Sequence, residues 1–346
     1  MRVLSKLKRG VERATSYLSG RVLILLYHRV AELESDPWEL AVSPKHLEEH
    51  LQFLSKYYGL MSMRDLSEVV QKRRLPRRRV VVTFDDGYAD NLLTAKPLLE
   101  KYDVPATVFI ATGNAGQDRE FWWDELDRLL MKPGALPGTL TLAVNGDNRY
   151  WELGDGARYD QNSHQHELQW RASEVDAPTP RRAVYRSLWE WMQTMPEDSR
   201  LMVRQDLLEW AGASGGARET HRVLAREEIV ELTRGGLVDV GCHTVTHPKL
   251  SALETEDQWN ELVQSKRSLE GIVGSPVSGF AYPYGRDCDY TSETVRLVRE
   301  AGFDYACTTS GRFVERGVDR FQLPRVAVRD LDGDAFARLI SERLQQ

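Results

Sequence analysis

Val80-Val81-Val82-Thr83-Phe84-Asp85-Asp86-Gly87 is the stretch that decides the fold. Its β-branched and aromatic run reads as a buried strand. Two acids and a glycine end it. Residues 90–102 carry Leu92, Leu93, Ala95, Leu98 and Leu99 and predict a helix; residues 106–111 predict another buried strand. Strand, helix, strand at this spacing is parallel βαβ construction. Upstream, residues 22–27 read as a strand, Ser43-Pro44 opens a helix, and 63–70 suggests a second one. Downstream, helices are predicted over 227–232, 255–271, 291–301 and 335–344. Strands are predicted over 237–241, 279–282, 305–308 and 326–328. The helix at 255–271 is read as capped by Thr255 and stopped by glycine. Seven or so strand–helix units imply an α/β fold, a closed or nearly closed parallel barrel. Chemistry in such barrels sits at the C-terminal ends of the strands.

The rhythm breaks between residues 113 and 224. Seven of the nine tryptophans lie there: Trp122, Trp123, Trp151, Trp170, Trp189, Trp191 and Trp210. Residues 140–153 around Asn145-Gly146 read as a hairpin, and 181–195 and 197–210 as helices. The division is a barrel over 21–112 and 225–346 with a mixed α+β insertion over 113–224. Core packing is the default for most of these tryptophans, and stacking on sugar rings the sharper alternative.

Composition sets outer bounds. The 346 residues, 41% hydrophobic, bury about three quarters of the unfolded surface. A net charge of −6 argues against a general nucleic-acid binder. Cys242, Cys288 and Cys307 are too few for a disulfide framework and fit a reducing compartment. Residues 1–20 combine Arg2, Lys6, Lys8, Arg9 and Arg13 with Val3, Leu4, Leu7, Val11 and Leu18 near one helical face. No apolar stretch leads from them to a cleavage site, so the protein is expected to be cytoplasmic. The segment reads as a plain amphipathic helix on the protein body, or as one lying on a membrane surface. Arg73, Arg74, Arg77, Arg78 and Arg79 form a second basic cluster, either a solvated loop or a phosphate or anionic-glycan contact.

Three motifs sit where strands end. Asp85-Asp86-Gly87 puts two carboxylates at a buried strand end, which is costly without a cation or hydrogen bonds; taken alone it is also a common turn and cap. In His243-Thr244-Val245-Thr246-His247-Pro248 two imidazoles stand four residues apart, in a chain with eight histidines. Two His and one carboxylate suit zinc or another divalent ion with open positions for water. His28 ends the first strand and is either a packed histidine or a general acid.

Thr83-Phe84-Asp85-Asp86-Gly87-Tyr88, then the His243–His247 motif, then Tyr282-Pro283-Tyr284-Gly285 resemble the polysaccharide deacetylases of carbohydrate esterase family 4, the NodB-homology group. The resemblance covers roughly residues 22–328, without the insertion. It implies a distorted (β/α) barrel and removal of acetyl groups from N-acetylated or O-acetylated sugars. It makes Asp86, His243 and His247 the ligands of one divalent metal, zinc or else cobalt, nickel or iron. Asp85 becomes the general base, and the Tyr284 main-chain N–H an oxyanion donor. Two departures stand out. Ala281 occupies the place of an arginine that contacts the base, and Arg325 is the candidate substitute. No histidine follows His247, where the family draws its general acid. However, Tyr27-His28-Arg29-Val30 resembles the N-terminal histidine motif of the poly-N-acetylglucosamine deacetylase branch, which gives that role, as an imidazolium, to His28. The implied partner is an acetylated glycan or a lipid-linked glycan intermediate at the inner membrane face. Rival readings are an O-acetyl esterase or cyclic amidase on the same fold, and an inactive glycan-binding pseudoenzyme.

Overall fold

Alternation along the strands sorts the core into two faces. The computed structural model describes residues 20–174 and 176–345. The helix expected over residues 1–20 lies outside them apart from Gly20. Seven parallel strands form the main sheet: β1 (Val22–Tyr27), β2 (Arg79–Phe84), β3 (Ala106–Ile110), β4 (Val238–Cys242), β5 (Gly279–Ala281), β6 (Tyr305–Cys307) and β7 (Val326–Ala327). Their order is β6-β5-β4-β3-β2-β1-β7, with Gly59–Leu60 added beside β2. One short stretch closes the ring into a distorted barrel. Leu323 donates to the Ala306 carbonyl and accepts from the Thr308 N–H at the β6 edge. Three residues on, Val326 pairs with Leu25 of β1.

Inside the ring, Val22, Ile24, Val81, Phe109, Ala281, Tyr305 and Cys307 pack together. The alternate residues, such as Leu23, Leu25, Val80, Val82, Val108, Ile110 and Val240, pack outward in the larger cluster that holds the surrounding helices. These helices are α1 (Pro44–Tyr57), α2 (Met63–Gln71), α3 (Lys96–Tyr102), α7 (Arg226–Thr233), α8 (Thr255–Val273), α9 (Ser292–Glu300) and α10 (Gly333–Gln345). Extending the period of two past the strand ends aims His28, Asp85 and His243 into the mouth of the barrel.

Two local expectations change. The helix predicted from residue 90 begins as a wide π-turn, Asn91–Ala95, before α3. Pro97 has no N–H to donate back to Leu93, which interrupts the α ladder at that point. Leu93 is consequently exposed rather than part of the apolar set. Helix α8 runs past Gly271 and stops at Gly274, whose φ is 70°; Glu254, not Thr255, is its cap residue.

Between β3 and β4, helices α4 (Trp122–Leu130), α5 (Pro180–Met192) and α6 (Glu197–Ala211) pack with the hairpin Thr139–Val144/Asp147–Glu152 around a separate core. Trp122, Trp123, Trp170 and Trp191 are buried in it, and Trp151, Trp189 and Trp210 half-buried. The two ends of the segment are tied by one ion pair: Arg218 donates from Nε and Nη2 to the two oxygens of buried Glu120, both at 2.8 Å.

The barrel interior leaves no room at Gly241. A Cβ there would stand 2.5 Å from the Phe109 ring. Gly241→Ala is expected to destabilise the fold by about 1–3 kcal/mol through overpacking, as measured by urea unfolding.

Candidate metal centre and active site

The site is built where β2 and β4 end. Asp85 continues the inward register of Val81 and Thr83, and its N–H donates to the Tyr27 carbonyl at 3.0 Å. Asp86 then turns with φ 74°, and Gly87 follows with φ 85°. Thr244, His247 and Tyr284 also have positive φ, at 65°, 56° and 60°. Non-glycine residues in this region cost energy and persist only where their surroundings hold them. Thus four of the nine such residues among those described belong to this one site.

Asp86, His243 and His247 offer three ligand atoms within 4.8 Å of one another, all buried. Asp86 Oδ1 lies 3.6 Å from His243 Nε2 and 3.5 Å from His247 Nε2. The His243 ring is oriented by its other nitrogen, Nδ1, which is 2.8 Å from the Ala281 carbonyl. Holding the far nitrogen this way is how proteins present a neutral imidazole to a metal. Burial pushes both imidazoles below their ordinary pKa, so both are neutral with a lone pair free. Burial, and then the charge of Asp85, pushes the Asp86 carboxyl well above its ordinary range. A divalent cation between these three groups would remove that penalty, so the donor set fits one.

Asp85 has a different neighbour. Arg325, fully buried, donates from Nη1 and Nη2 to its two oxygens, both at 2.7 Å. Arg325 is itself held by Nε to the Thr308 carbonyl at 3.1 Å and by Nη1 to Thr83 Oγ1 at 3.3 Å. Burial, the largest single influence, would raise the Asp85 carboxyl, but the charge and hydrogen bonds of Arg325 together with the neighbouring His243 and His28 outweigh it and hold Asp85 below its ordinary value. The residue at the head of β7 therefore stands against Asp85, while Ala281 supplies only a carbonyl to His243.

His28 shares the pocket with Asp85, Asp86, His243 and His247. Burial pushes its imidazole down to about 4, against the opposing attraction of Asp85. This favours the neutral imidazole among the chain's own groups. Tyr284 lines the same pocket, and its main-chain N–H has no hydrogen-bond partner among the described residues.

Several residues of the site carry no sequence signal. Glu261, on α8, accepts from the N–H groups of Val245 and Thr246 at 2.7 and 3.0 Å and pins the loop between the two histidines. From the other side Arg200, on α6 and fully buried, donates to the Thr246 carbonyl at 3.0 Å and is paired to Glu197. The insertion thereby grips the histidine loop. It also lends Trp123, whose ring centroid lies 4.8 Å from that of His247, and Trp189, which stacks on Trp38 at 4.0 Å. Trp38, Trp123, Trp189, Leu40 and Tyr284 wall a cavity of about 410 Å³ over the carboxylates. The tryptophan-rich composition pointed to this segment, but not to which two rings reach the pocket.

The sequence pattern of the polysaccharide deacetylase family matches residues 72–136 and 210–306, which include both the Asp-Asp and the His-His motifs. The chain carries that pattern over these two segments, a little under half of its length. The Bacillus subtilis protein YxkH, a polysaccharide deacetylase by name, is 21% identical over 93% of this chain and 76% of its own length. The poly-beta-1,6-N-acetyl-D-glucosamine N-deacetylase of Staphylococcus aureus is 29% identical over 30% of this chain and 40% of its own. This chain's match therefore spans well under half of that relative. Among solved structures, the Streptococcus pyogenes deacetylase PplD shares the fold with a TM-score of 0.55 at 17% identity, covering 92% of this chain and 98% of that one. IcaB from Ammonifex degensii also gives 0.55 at 17% identity, covering 94% and 98%. The unmatched residues between the two family segments, 137–209, fall within the expected insertion and include Trp189 and Arg200.

Two outcomes follow for this site. Arg325→Met removes the charge that depresses Asp85. The acidic limb of the pH–rate profile is expected to move up by about one unit or more, because Asp85 must be ionised to accept a proton. Arg200→Met is expected to weaken divalent-metal affinity by roughly 10–100-fold, read by chelator competition, with the melting temperature of the metal-free protein shifting no more than in the Arg204→Met control.

Proposed function

We propose that the protein is a metal-dependent N-deacetylase of N-acetylated amino sugars in a glycan or glycan intermediate, with poly-N-acetylglucosamine as the reference chemistry. One observation carries the reading: a carboxylate kept ionised by a buried arginine stands beside an Asp-His-His ligand set at the floor of one aromatic-walled pocket. Zinc is the ion that this donor set suits, with cobalt, nickel or iron as alternatives. Held by Asp86, His243 and His247, it would lower the pKa of water and polarise the acetyl carbonyl.

The chain's own residues account for the rest. Asp85, ionised at neutral pH, takes a proton from the attacking water as the C–O bond forms. The Tyr284 N–H points its unused donor to the developing oxyanion. As the C–N bond breaks, the nitrogen must gain a proton. His28 starts neutral, so it passes on a proton received within the pocket rather than one held beforehand. Acetic acid and the free amino sugar are the products. Trp38, Trp123 and Trp189 present apolar faces suited to a pyranose ring and an acetyl methyl group. We place the activity in the cytoplasm, a reading supported by the free thiols of Cys242, Cys288 and Cys307.

The test is metal content and acetate release on the same preparations. The wild type is expected to hold one divalent metal per chain and to release acetate from N-acetylglucosamine oligomers in preference to O-acetyl esters. His243→Ala/His247→Ala should lose the metal. Asp85→Asn should keep it and lose about 10²–10⁴-fold in turnover. A wild type that binds no added zinc, cobalt or nickel would overturn the proposal. Faster release from esters would move it to the esterase.

A further inference from the structure

A second cavity opens beside the catalytic pocket. Residues 284–287 and 308–310 form the rib between the two. Thr309 donates from its N–H to the Gly285 carbonyl at 2.9 Å and from Oγ1 to the Tyr284 carbonyl at 2.7 Å. Neighbours along this rib face different cavities. Arg286 and Thr309 line the catalytic pocket, whereas Asp287, Thr308 and Ser310 line a groove of about 660 Å³. A chain of sugars that leaves the pocket over the rib enters the groove.

The groove carries more positive charge than its acids answer. Arg21 is paired with Glu315 at 2.9 Å, and Asp319 is paired with Arg299. Among the described residues Arg312, Arg316 and Arg343 of the lining have no ion pair, against a single unpaired acid, Asp287. Arg343 donates to the Gly311 carbonyl at 2.9 Å, while Arg312 and Arg316 are exposed. The excess begins at the rim of the pocket. Arg286 is forked onto buried Asp289, by Nε at 2.8 Å and Nη2 at 3.1 Å, and Lys249 Nζ stands 3.5 Å from the same carboxylate. One acid there faces two cations. All of this lies on a chain whose net charge is −6.

We infer that this groove binds an anionic stretch of glycan, with carboxylate or phosphate groups on sugars that follow the one in the pocket. The inference deepens the deacetylase reading and rests on it for the placing of the chain: the N-acetylated sugar lies in the pocket and the acidic sugars across the rib. Guanidinium groups match the paired oxygens of carboxylate and phosphate. Arg312 and Arg316 carry no acid already, so no ion pair is broken when an anion binds. Charge of one sign along a groove also raises the local concentration of an anionic chain. A glycan fits better than another polyanion, because the groove shares its rim with an aromatic-walled pocket that a polynucleotide has no acetyl group to fill.

The experiment measures binding by calorimetry, and acetate release, for three chains of equal length: N-acetylglucosamine alone, the same chain bearing 6-phosphates, and N-acetylglucosamine alternating with glucuronate. At least one anionic chain is expected to bind roughly tenfold tighter than the neutral one, with the advantage falling as salt is added. The tighter of the two identifies the anion. Arg312→Gln/Arg316→Gln should abolish the advantage. Arg73→Gln/Arg74→Gln, an equal loss of charge on the loop before β2, should keep it. Equal binding of all three chains, an advantage undiminished in the groove variant or lost equally in the loop variant, or equally tight binding of a single-stranded DNA of the same charge would each overturn the inference. Wild-type protein that prefers an anionic chain but releases no acetate from any of them would overturn the deacetylase reading and leave the groove standing.

Discussion

Two adjacent buried carboxylates, Asp85 and Asp86, impose the constraint on which the rest depends. Neither can be ionised at a strand end without compensation, and each is compensated differently. Asp85 is answered by a bidentate arginine 240 residues further along the chain. Asp86 is turned away by a left-handed backbone and faces two imidazoles instead. One pair of neighbours thereby stands in two different environments, an ion pair with a buried arginine and a set of groups that could hold a metal ion.

Closing the barrel also brings Arg325 against Asp85. Arg325 lies between Leu323, bonded to the β6 edge, and Val326, paired with β1. The guanidinium can reach Asp85 only when that stretch fills the gap in the ring. Inside, it lies over the face of Phe109, for which Gly241 leaves room. Packing of the apolar interior and the ion pair at the mouth therefore share Arg325.

The insertion is more than a cover. Its helix α6 reaches down to the Thr246 carbonyl while α8 holds the same loop through Glu261. Strained residues at Thr244 and His247 are kept in place by these two grips. The same segment supplies two of the three tryptophans of the pocket wall. Residues 137–209 lie outside the matched family pattern, so Arg200 and Trp189 act on the histidine loop and the pocket mouth from beyond it.

The strands, the parallel construction and the Asp-Asp and His-His motifs were legible because they depend on local signals: runs of β-branched residues, turn chemistry, and ligand types at short spacing. Arg325 could be named as a candidate, but nothing near it in sequence shows that it grips Asp85, since that contact exists only once the barrel closes. The direction in which the surroundings move the His28 imidazole was not legible, because motif spacing does not carry burial, the largest cause of its lowering. Arg200, Glu261, Trp38 and Trp189 had no local mark, because each acts across elements far apart in the chain. Sequence by itself determined which chemical groups stand at the strand ends. The tertiary structure decided their charges and their neighbours, because desolvation and ion pairing depend on what is packed against a group and not on what precedes it in the chain.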